Sequence, residues 1–428
     1  MTVDKPTSVV PECRFPEFRS AGDWHFKPLS DIAAPISDRV GMSKCEPMSV
    51  TSGVGLVSQE EKFGRTIAGS SYKNYIRLQT NDFAYNKSAT KEFPQGYIAR
   101  YSGTIDAAVP NSIFACFRPD IAAVIPEYLD HLFHRNHHGQ WLRKYITVGA
   151  RAHGALSVSN DDLMSMPVPL PPDAASGLEQ QKIADCLGSL DDLIAAERRK
   201  LEALRQHKRG LMQQLFPQPG ESVPRLRFSE FQRDGDWKLD QIGNVASITK
   251  GKRVSKADIT KGGGTPCIRY AELYTHYREV IREVVSHTNV PHEDLMLSQA
   301  EDVIVPASGE TRVDIARAAC VLAERVALGS DLNILRSDLY GPFFSYLLNS
   351  PLRQTIARVA QGDTVAHLYP KQLSQVWLAY PLRLEQQKIA DCLGSLDNLI
   401  AGEDQKLDLL KTHKQGLLQQ LFPSPEAV

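Results

Sequence analysis

Between positions 179 and 217 apolar side chains fall at 183, 187, 190, 194, 201, 204, 211 and 215, in steps that alternate four and three. That spacing lines them up on one stripe of a helix and has the period of a coiled-coil seam. Pro171 and Pro172 precede the stretch, Pro217 and Pro219 follow it, and no proline lies inside, so the pattern predicts one uninterrupted helix. Of the ten seam positions implied by the steps, only Glu197 and Lys208 are charged. The same pattern returns at 385–423, broken at Glu403 and Lys414. The two stretches agree at 29 of 39 positions at a constant offset of 206, both opening Glu-Gln-Gln-Lys-Ile-Ala-Asp-Cys-Leu-Gly-Ser-Leu and closing Gln-Gln-Leu-Phe-Pro. A period this long is not that of a solenoid. It predicts two tandem halves, each a head followed by the same long helix: heads at 1–178 and 218–384, helices at 179–217 and 385–428.

The charged breaks suggest how the helices pair. An antiparallel register places Glu197 opposite Lys414 and Lys208 opposite Glu403, with Leu190 facing Leu421 and Leu201 facing Leu410. Early in each helix acid is in excess (Asp185, Asp191, Asp192), and late in each there is base (Arg205, Lys208, Arg209), so antiparallel packing joins opposite charges. The alternative is that the breaks are solvated at the seam edge. A helix of this length spans about 58 Å. The expected product is two heads held apart by a rod, with near two-fold symmetry.

Outside the helices the pattern changes to short apolar runs bounded by turn residues. Those at 97–101, 112–117 and 302–306 predict strands, while 127–145 and 342–360 have helical spacing. Each head therefore reads as mixed α+β. The heads share a lead-in: Pro11, Arg14-Phe15, Glu17-Phe18 and Gly22-Asp23-Trp24 match Pro224, Arg227-Phe228, Glu230-Phe231 and Gly235-Asp236-Trp237. Beyond it their middles show no alignment. A common frame with different contents suits two readers of different targets.

Composition narrows the class. The formal net charge of −1 excludes a uniformly basic nucleic-acid binder, so any such role rests on local patches or on a partner. Seven cysteines without a C-x-x-C pair favour reduced thiols in a cytoplasm over a disulfide framework or zinc ribbon. No stretch has the apolar length of a membrane span, and the N-terminal residues lack a signal-peptide core.

Candidate contacts to nucleic acid are loops rich in Lys, Arg, Asn and Gly, since Arg and Lys suit phosphates and guanine edges and Asn suits adenine. In the first head they offer Lys73, Asn74, Arg77, Lys87, Lys91 and Arg151; in the second, Lys250, Lys252, Arg253, Lys256 and Arg312, beside the glycine run Gly262-Gly263-Gly264. A solvated loop is the plain alternative for each. No phosphate loop, H-E-x-x-H, G-x-S-x-G or N-P-P-[FY] motif occurs, so the chain reads as non-catalytic, with no cofactor or metal of its own. Four histidines, 131, 134, 137 and 138, could share a helix face as metal ligands or form a polar helix end beside Asp130 and Arg135.

Two unlike heads joined by near-identical helices, with the motifs at 178–183 and 210–217 repeated at 384–389 and 416–423, and Asp-Trp at 23–24 and 236–237, closely resemble the specificity subunits of type I restriction-modification systems. The resemblance covers essentially the whole chain. It implies that each head is a target recognition domain reading one half of a split sequence in double-stranded DNA. It implies also that the helices set the spacer and dock two modification subunits, which carry S-adenosylmethionine and methylate adenine, and that restriction subunits join the complex. Heads on a rod can reach two sites on one face of a duplex only near whole turns, about 34 Å apart. The alternative class is a coiled-coil scaffold whose heads bind protein or glycan.

Overall fold

The computed structural model describes residues 9–51, 53–146, 156–260, 262–362 and 365–423, the side chain of Ser70 excepted. The chain divides into two compact units, Met1–Glu197 with Lys406–Val428, and Arg198–Gln405. The long helices run Ser176–Gln214 and Arg383–Leu421. Each unit thus contains a head, the beginning of one long helix and the end of the other.

Both units are mixed α and β, and they share a strand order that their sequences hide. In the first, the central sheet is ordered Ala33–Pro35, Phe114–Pro119, Phe83–Asn86, Tyr97–Arg100. In the second it is ordered Ala246–Lys250, Leu332–Ser337, Asp302–Pro306, Ala319–Val321, with Val280–Ile281 added at the edge. The same carboxylate clamps both sheets. Asp82, fully buried, accepts from the Gln79 amide at 2.6 Å and from Arg118 at 2.7 and 2.8 Å. Asp302, also buried, accepts from the Gln299 amide at 2.9 Å and from Arg336 at 3.0 Å. The residue before each aspartate, Asn81 or Glu301, turns the chain in the left-handed region, with φ of 74° and 66°.

Each helical stretch expected downstream is broken in two. Asn136, at φ 63°, separates Pro126–His134 from His137–Leu142. Ser350-Pro351 separates Gly341–Asn349 from Leu352–Val359, since the proline ring cannot continue a helix.

The lead-in motifs bind the start of the repeat. Arg14 holds Glu179 through two bonds of 2.7 Å, Trp24 Nε1 donates to the same carboxylate at 3.3 Å, and both partners of the ion pair are buried. In the second unit Arg227 grips Glu385 at 2.8 and 2.7 Å and Trp237 Nε1 donates at 3.2 Å. The next glutamine fixes the helix to its head: Gln180 accepts from the Ile125 amide, Gln386 from the Tyr340 amide, each at 2.8 Å. The repeat's closing Leu-Phe fills the same cores from the opposite direction. Phe422 packs against Tyr128 in the first, and Phe216 packs against Trp237 and Phe343 in the second.

The helix segments run antiparallel within each unit, but not in the register read from the charges. In the first unit Glu197 meets Lys406, eight positions short of Lys414, and Lys414 bonds Asp191 at 2.5 Å. In the second, Lys208 bonds Asp397 at 2.7 Å and Glu279 at 2.8 Å, while Glu403 takes Lys200 at 2.5 Å. Lys208 is therefore six positions from the expected Glu403, a displacement of about one heptad. A seam repeating every seven residues fits nearly as well after such a slip. The buried phenylalanines and the Arg–Glu clamps at the helix ends select the register, and each charged seam residue reaches a partner beside the seam.

Candidate nucleic-acid interface

In the second unit the basic loop begins where strand Ala246–Lys250 ends. Gly251 lies so close to its neighbour that a Cβ would fall 2.0 Å from the Gly329 carbonyl oxygen, and its amide donates to Leu332 at 3.0 Å. The chain then turns through Arg253 and Val254 at φ 44° and 60°, with Val254 buried beneath. Lys250, Lys252, Arg253 and Lys256 are left exposed on this anchored loop. Arg253 is engaged by Asp294 at 2.5 Å. The glycines 262–264 all have positive φ, and Gly264 abuts the Thr288 carbonyl, so they serve the turn; Lys261 lies outside the described residues.

The loop carrying Arg312 meets the Lys250 loop through a segment that the sequence did not mark. Strand Ser308–Gly309 pairs with Ala366–His367, and Arg312 Nε donates to the Gly362 carbonyl at 3.4 Å. His367 stacks with Tyr369, ring centres 6.0 Å apart and planes 22° from parallel, and Lys250 Nζ sits 5.5 Å from the Tyr369 ring centre. The structure thus gathers Lys250 and the Arg312 loop around His367 and Tyr369. The only sequence signal for them was period-two alternation about the buried Leu368.

In the first unit Lys73 and Asn74 are exposed on a short 3-10 helix, Ser70–Asn74. Their neighbour is a turn whose Val40 and Gly41 amides donate to the Tyr75 and Lys73 carbonyls, which adds exposed Arg39 and Lys44 to the same edge. Arg77, on strand Ile76–Leu78, is bonded to Asp106 at 2.6 Å. Lys87 follows a strand of the other sheet and is half-buried, and burial lowers its pKa. Lys91 is exposed. Arg151 lies outside the described residues.

Comparison with known proteins joins this geometry to a family. Residues 234–412 match the family described as type I restriction modification DNA specificity domain. A putative type I restriction enzyme MjaX specificity subunit of Methanocaldococcus jannaschii is 25% identical over 354 residues, 81% of this chain and 78% of its own. The MjaIX specificity subunit of the same organism is 22% identical over 341 residues, 78% of this chain and 75% of its own. Residues 234–412 thus carry a domain of that description, and most of the chain is similar to type I specificity subunits.

Solved structures share its fold. A type I restriction-modification S subunit from M. genitalium superposes with a TM-score of 0.57 at 14% identity, covering 97% of this chain and 99% of that one. A chain from a structure on complex assembly and conformational transition of the type I R-M system gives 0.56 at 17% identity, covering 94% and 98%. Specificity subunits are the recognition components of their systems, not the catalysts.

The four candidate histidines lie in the first unit. His137 and His138 are fully buried, their Nε2 atoms 2.6 and 3.2 Å from the Pro167 and Gly96 carbonyls, and His131 is buried near Asp191 and Lys414. Among the described residues no group of three or more His, Cys, Asp or Glu side chains is arranged to hold a metal ion. Burial pushes the pKa of His131, His137 and His138 down to about 4. In the unfolded chain they titrate near 6.5, so between these values the unfolded state binds protons that the folded state refuses. Stability is then fully present above about pH 6.5 and lost toward 4, by up to about 1.4 kcal/mol per pH unit for each histidine. Burial raises the Asp130 pKa, which acts in the opposite sense. Urea midpoints at pH 7.5, 6 and 5 should fall steadily; a flat profile over that range contradicts the assignment.

Proposed function

We propose that this chain is a specificity subunit that reads a bipartite sequence in double-stranded DNA, one half with each head, at a spacing set by its two long helices. It works in the cytoplasm, carries no cofactor, and recruits two modification subunits that bind S-adenosylmethionine and methylate adenine, together with restriction subunits. The heads are residues 1–178 and 218–384, joined by an antiparallel two-helix coiled coil with near two-fold symmetry. What supports the reading is one frame used twice with different loops: the same strand order, aspartate clamp and Arg–Glu–Trp dock carry unrelated basic surfaces. Two separate readers need such a frame to present different residues to DNA in the same way. In this reading Lys73, Asn74, Lys91, Lys250, Lys252 and Lys256 meet the duplex directly, and Arg77 and Arg253 do so by exchanging a carboxylate for a phosphate.

Binding by the chain with its modification subunit should weaken steeply with salt, because each phosphate contact releases a counterion. Replacing Lys250, Lys252 and Lys256 together by alanine should flatten the plot of log affinity against log salt by up to about 2.7 if all three touch phosphate. An unchanged slope removes this loop from the interface.

A further inference from the structure

We propose that His367 and Tyr369 are specificity-determining residues of the second head, reading base edges while Lys250 beside them holds a phosphate. The inference rests on the DNA-reading function proposed above and assigns a division of labour within it.

Leu368 is fully buried, its amide donates to the Ala307 carbonyl at 3.0 Å, and its carbonyl accepts from the buried Asn333 side chain at 2.9 Å. Asn333 belongs to the strand that pairs with Ala246–Lys250, and its Cα partner in the register is Lys250 itself. The segment is therefore fastened to the end of the central sheet, at the position where the basic loop starts. In an extended segment the neighbours of an inward residue point outward. His367 and Tyr369 accordingly share one outward face, their rings are nearly parallel, and Tyr369 remains 45% exposed.

The chemistry of the three groups differs. An ammonium has donors only: it binds any phosphate, and among base edges it can serve acceptors alone, as on guanine. A phenol and an imidazole each offer a donor and an acceptor on a flat ring. Aromatic side chains of this kind lose little conformational entropy when they bind, and here the rings are already stacked, with the Lys250 ammonium over one of them. Rigid donors and acceptors on a fixed backbone are what base readout requires, since a mobile side chain adapts to the wrong base as readily as to the right one. The basic loop meets the phosphates, and the stacked pair beside it faces the groove.

The test uses the full chain assembled with its modification subunit, and duplexes carrying the methylated motif or single-base changes in the half-site of the second head. His367→Ala and Tyr369→Ala should each reduce discrimination against the wrong base at one or two positions of that half-site, by about 5- to 150-fold, and leave the other half-site unchanged. Tyr369→Phe keeps the ring and its stacking and should lose only the hydroxyl's share. Lys250→Ala should weaken binding to all duplexes alike and lower the salt slope by about 1. Unchanged discrimination in both alanine variants, with the parent complex still selective, overturns this inference and leaves the proposed function standing. Loss of assembly with the modification subunit in either variant would place the pair at a protein interface and also overturn it. Absence of selective binding by the parent complex would instead refute the proposed function.

Discussion

Replacing Glu385 by alanine should destabilise the second unit by about 3–5 kcal/mol, enough to unfold a large fraction of it. The carboxylate is 1% exposed and its partner Arg227 11%. It receives two bonds from the guanidinium and one from the Trp237 indole, so its removal strands a buried charge and a buried donor together. Arg227 cannot escape by losing its proton, because a guanidinium stays charged throughout the accessible pH range. Its two bonds to the Asp234 and Gly235 carbonyls remain, but they do not neutralise it. Glu385→Gln keeps an acceptor and should cost less. Replacing Arg227 by methionine and Glu385 by leucine in one chain should recover most of the loss, since an apolar pair of similar volume pays no desolvation penalty. Hydrogen exchange of the strands at 302–306 and 332–337 reports the unfolding directly. A loss below about 1 kcal/mol in Glu385→Ala, or a double variant as unstable as the single one, contradicts the account of the clamp.

The long helices were legible because their signal is periodic and repeated: the seam needs only apolar residues at 183, 187, 190 and 194 to declare itself. The register was not legible, because a slip of seven residues again sets seam positions against seam positions, and the charged breaks pointed to the wrong one of these near-equivalent states. What settles it is burial of Phe216 and Phe422 in cores built from residues far away in sequence. The common frame of the heads was hidden for a different reason. Equivalent positions drift from an offset of 206 in the helices to 213 at the tryptophans (24 and 237) and 220 at the clamped aspartates (82 and 302), so no single alignment carries all three. Short central strands between loops of unequal length leave too little matching sequence to bridge the shifts.

Among the candidate contacts, exposed lysines such as Lys73, Lys91 and Lys252 could be named from composition and turn context. Which arginines already hold a carboxylate could not, because Arg77 finds Asp106 and Arg253 finds Asp294 only after the chain has folded. His367 and Tyr369 escaped notice because a search for basic loops weighs charge, and neither ring adds to it. Their proximity to Lys250 comes from the pairing of Lys250 with Asn333, whose side chain holds the Leu368 carbonyl.

If the two heads read DNA independently, exchanging one of them should leave the other's reading intact. The chimera takes residues 218–384 from another specificity subunit of different target and keeps both long helices of this chain. The helices preserve Glu179 and Glu385, and the incoming head must bring its own equivalents of Arg227 and Trp237, without which the clamp fails for structural reasons. With that condition met, the first head is untouched and the seam is unchanged, so neither the first half-site nor the spacing has a cause to alter. Sequencing of methylated sites in cells expressing the chimera with the modification subunit is the measurement. One half of the methylated motif should be replaced while the other half and the spacer persist; a change in both halves, or in neither, would contradict independent reading.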